Sequence, residues 1–217
     1  TLPDRRTSYL VVDAAVRCGS NFVDILEEYH RRPDAYELEG LTSWLGAEKV
    51  EALEEGLAVI RGVWAESPFT YHGKHYRNEA TLLEPKPAHR IPIWLGTYGP
   101  KALQVTGRLA DGWIPSMCPT TPRQVKPMIA VVRRAAEHAG RDPDSLDYAY
   151  NVSVRIGGPP ADDPERRVTG EPDEIVERLL ELLDLGFTVL NFWVGGRRDE
   201  QQERLASEVV TPLRQLG

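Results

Sequence analysis

The sequence predicts an α/β fold in which parallel strands are joined by helical crossovers. From Leu83 onward, apolar segments of strand length alternate with segments of helical periodicity, and no run of hairpins interrupts them. This alternation fits either an open doubly wound sheet or a closed barrel. The 217 residues allow one large domain or two small ones.

The N-terminal part is predicted to hold a helix over Leu10–Arg17 and a short buried strand over Asn21–Leu26. Thr42 or Ser43 is a suitable cap for the long amphipathic helix that follows. Residues 67–80 contain the turn YHGKHY and are expected to form a loop or a hairpin. The apolar stripe of the long helix consists of Val50, Leu53, Leu57, Ile60 and Trp64.

The segments after Pro87 alternate in type. IPIWLG is an apolar, β-rich run, and Gly99-Pro100 is a typical start for a helix that reaches about Leu109. A short strand is expected from Asp111 to Ile114, and a further helix from Pro122 to the terminating Gly140.

The C-terminal third continues the same pattern. Residues 157–167 are rich in Gly, Pro and charge and are expected to form a loop, and residues 169–172 to cap the next helix. The remaining expected elements are a strand over Leu146–Ile156, that helix through Leu183, a strand over Phe187–Val194 and a last helix from about Glu200 to Leu216.

Composition and charge exclude several classes of function. The formal net charge of -7 argues against sequence-independent binding of nucleic acid. No apolar run is long enough to span a membrane, and no signal peptide is recognisable, so a cytoplasmic location is expected. Cys18 and Cys118 have neither zinc-site spacing nor the pattern of a disulfide framework, and no metal is expected.

The first candidate for a binding site is the turn IWLGTYGPKA. Gly96-Thr97-Tyr98-Gly99 joins an apolar strand to the helix that begins at Pro100. Glycine lets a ligand approach the backbone, and the first turn of a helix offers unpaired N–H groups that suit a phosphate. The spacing does not match a dinucleotide fingerprint, and a purely structural turn is the alternative.

A second strand end carries Ser116, which follows Asp111-Gly112-Trp113-Ile114-Pro115. Two adjacent strand ends with donor groups are able to form a phosphate pocket, and barrels often place such a site late in the chain. A loop serine without a binding role is the alternative interpretation.

The run EPKPAHRIPIWLGTYGPKALQVTGRLADGWIPS resembles a stretch shared by bacterial luciferase-like monooxygenases and F420-dependent reductases. The segments FTYHGKHY, GRDPDSLDYAYNVSV and VTGEPDEIVERLLELLDLGFTVLNFWVGG also resemble that family. The resemblance implies a (β/α)8 TIM-barrel-like fold. It covers residues 45–217, leaves residues 1–44 atypical, and suggests a single domain over residues 1–217.

The family resemblance also implies a cofactor, which is F420 or FMN. Its phosphate would be held by Gly96, Thr97, Tyr98 and Gly99, with Ser116 opposite. The implied activity is that of an oxidoreductase, a reductase or monooxygenase, in which the reduced ring gives hydride to a small organic substrate or reacts with oxygen to oxygenate it.

Catalytic candidates on the substrate side follow the early strand. The resemblance suggests an acidic residue and a histidine there, which makes Glu28 and His30, and also Glu27, the candidates. Solvated surface charge is the alternative. Asp111 is interpreted as structural and Trp113 as part of the core.

A complete barrel needs eight strands and about 250 residues, whereas five or six strands are recognisable here, with the deficit before Leu45. Three explanations stay open: a sequence that omits part of the protein, a shortened family member, or a first segment outside the family. Missing strands would leave unpaired edges, so a homodimer is expected.

Two other functions stay open. Asp24 and Tyr29 have the Asp-x4-Tyr spacing of aldo-keto reductases, which use NADPH, although no partners for the tyrosine are recognisable downstream. A non-catalytic flavin-binding barrel remnant would keep the phosphate site and lose the substrate cavity.

Overall fold

The computed structural model of the protein describes residues 47–195 and 198–216. The expected helix over Leu10–Arg17, the expected strand over Asn21–Leu26 and the expected caps Thr42 and Ser43 lie outside these residues. The elements in chain order are α1 (Ala47–Ala65), β1 (Phe69–His72), β2 (Arg77–Thr81), β3 (Trp94–Leu95), α2 (Pro100–Leu109), β4 (Gly112–Trp113), α3 (Pro122–His138), β5 (Asp147–Ile156), β6 (Val168–Gly170), α4 (Pro172–Asp184), β7 (Val189–Val194), α5 (Arg198–Arg204) and α6 (Thr211–Leu216).

The strands from β3 onward pair in parallel, as the alternation of segments predicted. Strands β1 and β2 form the expected antiparallel hairpin outside that sheet. In the described part of the chain, no helix is long and apolar enough to cross a membrane. The His, Cys, Asp and Glu side chains of the same part form no group of three or more that could hold a metal ion.

Strand β5 is the centre of the parallel sheet. Strand β7 pairs along one edge of β5, from Ala149 to Val154. Along the opposite edge of β5, strand β4 pairs with its start, Ser116 with its middle and β6 with its end. The loop after β4 and the short strand β6 therefore share one side of β5.

Several boundaries differ from the sequence predictions, and β7 begins at Val189 rather than at Phe187. Val168–Gly170 forms a strand paired with the end of β5, where a loop and a helix cap were expected. The cap of α4 is Glu171, whose N–H donates to the Glu174 side chain. Three residues are too few for periodicity to reveal a strand. The last helical segment begins at Arg198 and contains a π-helical stretch over Leu205–Val210.

The two faces of β5 have different chemistry. Alternation along a strand places successive side chains on opposite faces. One face packs against α3 and α4 and consists of Tyr148, Tyr150, Val152, Val154 and Ile156, all at most 3% exposed. The other face is polar and partly exposed, and it carries Asn151, Ser153 and Arg155.

Helix α1 covers the start of the sheet with the apolar stripe that the sequence predicted. Leu57 is buried in a cluster with Ile93, Leu95, Val105 and Ala110. The other four members of the stripe, Val50, Leu53, Ile60 and Trp64, pack against the same cluster. Burial of this stripe holds α1 against α2 and the sheet.

Gly107 lets α2 and α3 approach closely. A Cβ atom at this position would lie 2.2 Å from the carbonyl oxygen of Val132 and 2.8 Å from the Cβ of Ala135. The carbonyl oxygen of Gly107 accepts a hydrogen bond of 2.8 Å from Arg141, which follows α3. This contact sets the position of α2 relative to the sheet.

The hairpin is attached to α1 by Glu55. One carboxylate oxygen accepts from the N–H of Lys74, and the other from the N–H groups of His75 and Tyr76, at 2.8 to 3.1 Å. Burial raises the pKa of Glu55, but the three backbone donors outweigh burial and hold its pKa below the ordinary value. The charged carboxylate is therefore the form that stabilises the hairpin turn.

Replacement of Gly107 by Ala is expected to lower the free energy of unfolding by about 1–3 kcal/mol, measured by urea denaturation. Alanine gains about 1 kcal/mol in helix propensity, but the contact with the Val132 carbonyl forces the two helices apart. Gln104→Ala, on the exposed side of α2, serves as the control and should change stability by less than about 0.5 kcal/mol. Equal stability of Gly107→Ala and wild type would contradict this packing.

Glu55→Gln is expected to increase hydrogen exchange at Lys74, His75 and Tyr76, because one acceptor oxygen becomes an NH2 donor. A lowered pKa means that the stabilisation is present above the ordinary carboxyl pKa of about 4.3 and is lost as the pH falls through the folded-state pKa. Wild-type protection of these amides should therefore decrease as the pH falls below the ordinary carboxyl pKa. Glu54→Gln, which removes only a surface ion pair with Arg108, should leave the protection unchanged.

Candidate functional site

The carboxyl ends of β3, β4, β5 and β7 lie along one edge of the sheet, because these strands are parallel. Gly96 follows β3 at this edge and is exposed. Ser116 follows β4 and pairs with Asn151 in the middle of β5. A ligand at this edge would therefore meet both strand ends that the sequence singled out.

The Thr97 hydroxyl is directed into α2. Its Oγ1 lies 2.7 Å from Oγ1 of Thr106, and the Thr106 hydroxyl donates to the carbonyl oxygen of Ala102 at 3.0 Å. Since the single proton of Thr106 is used in that bond, the Thr97 hydroxyl is the donor between the two threonines. Thr97 thus uses its hydroxyl proton inside the protein, and only its backbone is left to contact a ligand.

A buried tryptophan supports the turn after β3 from behind. The indole N–H of Trp113 donates to the carbonyl oxygen of Thr97 at 2.8 Å, and the side chain is fully buried. Phe187 stacks between Trp113 and Tyr150, with ring-centroid distances of 6.2 Å and 4.5 Å. Burial raises the pKa of Tyr150, whose neutral hydroxyl donates to the Thr120 carbonyl. Trp113 belongs to the core, as predicted, and holds the turn.

The start of α2 lacks the side-chain caps of the two following helices. In α3 the Gln124 side chain accepts from the N–H of Thr121, and in α4 the Glu174 side chain accepts from the N–H of Glu171. The equivalent third position of α2 is Ala102, which has no acceptor, and the N-cap is Gly99. The first turn of α2 contains no acidic residue, and Lys101 lies exposed within it. These features leave positive charge at the helix start.

Tyr98 connects the two strand ends. Its hydroxyl oxygen accepts from the backbone N–H of Ser116 at 3.2 Å. The five predicted cofactor residues thus converge, since Gly96, Thr97 and Gly99 lie in the same turn as Tyr98. The predicted catalytic residues Glu28 and His30 lie outside the described residues, so their roles stay predictions.

Two asparagines of the site were missed by the sequence analysis. Asn151 of β5 donates from Nδ2 to Oγ of Ser116 at 3.0 Å, and Asn191 of β7 donates from Nδ2 to Oδ1 of Asn151 at 2.7 Å. Each lies inside an apolar strand segment and has no motif around it. Only the register between strands brings them to Ser116, although the polar residues at alternate positions of β5 were a usable signal.

In the motif Ala-Asp-Gly-Trp at residues 110–113, Asp111 and Gly112 each have a structural role. The Asp111 carboxylate accepts from the N–H of Ile93 at 2.8 Å and pairs with Arg61 and Arg90. A Cβ atom at Gly112 would lie 2.6 Å from the Trp94 ring. Asp111 therefore connects α1 and the segment before β3 to the start of β4. This agrees with the structural role that the sequence analysis assigned to it.

Comparison with known proteins identifies the family and the type of fold. The model of the family described as luciferase-like monooxygenase matches residues 42–167. An F420-dependent glucose-6-phosphate dehydrogenase of Nakamurella multipartita is 26% identical over 204 residues, which cover 76% of this chain and 60% of the relative. A phthiodiolone/phenolphthiodiolone dimycocerosates ketoreductase of Mycobacterium tuberculosis is 37% identical over 149 residues, which cover 65% of this chain and 34% of the relative.

Among solved structures, the coenzyme F420-dependent tetrahydromethanopterin reductase of Methanopyrus kandleri superposes with a TM-score of 0.67 at 19% sequence identity. The match covers 76% of this chain and 64% of that one. This likeness confirms the predicted luciferase-like, TIM-barrel type of fold. The chain spans about 60% of the length of the dehydrogenase relative.

Replacement of Trp113 by Phe is expected to destabilise the turn after β3, because the partly buried Thr97 carbonyl loses its donor at a cost of about 1 kcal/mol. Urea denaturation measures the stability, and hydrogen exchange over residues 96–99 locates the effect. Trp94→Phe is the control, since its indole N–H donates to the exposed Asp147. If both variants lose equal stability, Trp113 has no special role in supporting the turn.

Proposed function

Because the chain belongs to the luciferase-like monooxygenase family, we propose that it is an oxidoreductase that binds F420 or FMN and acts on a small organic substrate. The observation that carries the proposal is the start of α2, which has no side-chain cap and faces the edge where Ser116 lies. This arrangement supports an anion as the missing partner of the helix start.

The electrostatics of the helix start favour a phosphate there. The helix dipole disfavours a cation in the first turn unless an anion lies nearby, and α2 has Lys101 at that place. In α4, by contrast, Asp173 and Glu174 occupy the first turn and compensate the dipole internally. The backbone N–H groups of Lys101 and Ala102 would bind phosphate oxygens, while Ser116 would donate from the adjacent strand end.

F420 is the first choice of cofactor. Both relatives compared by sequence are named as a dehydrogenase or ketoreductase, and the dehydrogenase and the superposed reductase are named as F420-dependent. These names favour a reductase over a monooxygenase, and they favour both over an aldo-keto reductase or a non-catalytic remnant. The bound cofactor would supply hydride transfer at its ring, or oxygen activation if it is FMN.

The chain's own residues would position the cofactor. Trp113 and the Thr97–Thr106 pair hold the turn, so that the phosphate is bound by a rigid backbone rather than by a mobile loop. Glu28 and His30 stay the proposed groups for proton transfer to the substrate. A homodimer, a cytoplasmic location and a single domain over residues 1–217 also stay proposals that rest on the sequence.

Titration of the purified protein with F420 and with FMN, followed by cofactor fluorescence, tests the proposal. We expect saturable quenching by at least one of them and a roughly tenfold higher Kd for Lys101→Glu, because the substituted side chain repels the phosphate. Lys126→Glu, which makes the same charge change on the exposed side of α3, should shift the Kd by less than about twofold.

Absence of quenching by both cofactors would overturn the proposed function. Equal effects of Lys101→Glu and Lys126→Glu would show that the phosphate lies elsewhere. Binding without oxidation of the reduced cofactor by any carbonyl acceptor or by oxygen would favour the non-catalytic alternative. Oxidation that requires oxygen would indicate a monooxygenase, whereas oxidation by an acceptor under anaerobic conditions would indicate a reductase.

A further inference from the structure

Three polar residues on neighbouring strands lie at the same level of the sheet. Ser116 pairs with Asn151, and Asn151 pairs with Asn191 on its other side. Asn151 and Asn191 alternate with the residues of β5 and β7 that pack into the core, and Ser116 pairs with Asn151, so all three belong to the face of the sheet that is not packed against α3 and α4. They therefore form one row across the polar face, level with the loop after β4 that belongs to the proposed phosphate site.

The hydrogen bonds along this row run in one direction. The amide of Asn191 donates from Nδ2 to Oδ1 of Asn151 at 2.7 Å. The amide of Asn151 in turn donates from Nδ2 to Oγ of Ser116 at 3.0 Å. Because Asn191 fixes the carbonyl oxygen of Asn151 toward β7, the NH2 group of Asn151 is directed at Ser116.

This direction determines what the Ser116 hydroxyl offers to a ligand. A hydroxyl that accepts a hydrogen bond from Asn151 keeps its own proton for another acceptor. The backbone N–H of Ser116 also has a partner, since it donates to the Tyr98 hydroxyl oxygen at 3.2 Å. Thr97, by contrast, directs its hydroxyl proton to Thr106. Ser116 is therefore fixed as a donor at the second strand end.

We infer that Asn151 and Asn191 are positioning residues that orient the Ser116 hydroxyl as a donor to an unprotonated phosphate-ester oxygen. The inference rests on the proposed function, since the acceptor is the phosphate of the cofactor. Polarisation along the row strengthens the donor. A ligand group that can only donate, such as an ammonium, is disfavoured at this place, and an unprotonated phosphate oxygen, which only accepts, is favoured.

Asn191→Asp tests the direction of the row. A carboxylate at position 191 only accepts, so the amide of Asn151 turns its NH2 group toward β7 and its oxygen toward Ser116. The Ser116 hydroxyl then donates to Asn151 and is withdrawn from the phosphate. The Kd of the cofactor that binds the wild type is measured for wild type, Ser116→Ala, Asn191→Asp and the double variant.

We expect Ser116→Ala and Asn191→Asp each to raise the Kd about tenfold, the value of one hydrogen bond to a charged group. In the Ser116→Ala background, Asn191→Asp should raise the Kd by less than about threefold, because only the long-range effect of the added charge remains. A merely structural role of Asn191 would give the same factor in both backgrounds, and that result would overturn the inference.

Two further variants keep the test decisive. Asn151→Ala removes the middle residue of the row and should raise the Kd when Ser116 is present. In the Ser116→Ala background, the same substitution should have little effect on the Kd. Asn78→Ala, on the hairpin, removes an asparagine bonded to Thr81 and should leave the Kd unchanged. Failure of the wild type to bind either cofactor overturns the proposed function, whereas binding that is insensitive to Ser116→Ala overturns only the role assigned to the row.

Discussion

The close parallel contact of β3, β4 and β5 is the constraint on which the rest of the structure depends. At its centre is Gly112, where any side chain would collide with the Trp94 ring and with the carbonyl oxygen of Asp147, 2.7 Å from the position of a Cβ atom. The contact fixes the register of the three strands, and Asp111 anchors it to α1 and to the segment before β3. Every group at the carboxyl edge is placed relative to this register.

The two faces of the sheet have different roles. One packs against the helices and supports the structure, and the other carries the polar residues of the proposed site. On the helix side, the aromatic residues Trp113, Phe187 and Tyr150 form a stacked and fully or almost fully buried layer, and the one polar atom of Trp113 is used to hold the turn after β3. On the opposite face, Ser116 and its asparagine neighbours stay hydrogen-bonded but accessible. A rigid apolar layer thus supports a polar surface whose donors have fixed directions, and this is the arrangement that binding a phosphate with little reorganisation requires.

The starts of the helices that alternate with the strands differ in how their N–H groups are satisfied. Helices α3 and α4 satisfy their N-cap amides with their own side chains, through Gln124 and Glu174. Helix α2 combines Gly99, Ala102 and Lys101, none of which accepts a hydrogen bond through its side chain. The difference lies in three of the four residues from 99 to 102, and it leaves the start of α2 without an internal acceptor, which is the basis of the proposed anion site.

The amino-acid sequence by itself determined the alternation of strands and helices, the start of α2 at Pro100, the apolar stripe of α1 and the burial of Trp113, because these follow from local propensity, capping and periodicity. It also carried enough of the family pattern to indicate the fold and the turn that is proposed to bind phosphate. Only the tertiary structure decided that Thr97 turns its hydroxyl inward, that a short strand β6 exists, and that Asn151 and Asn191 reach Ser116. The direction of Thr97 depends on its contact with Thr106 of α2. The other two features depend on register between strands, in which Asn151 and Asn191 are 40 residues apart, and no local pattern encodes such pairing.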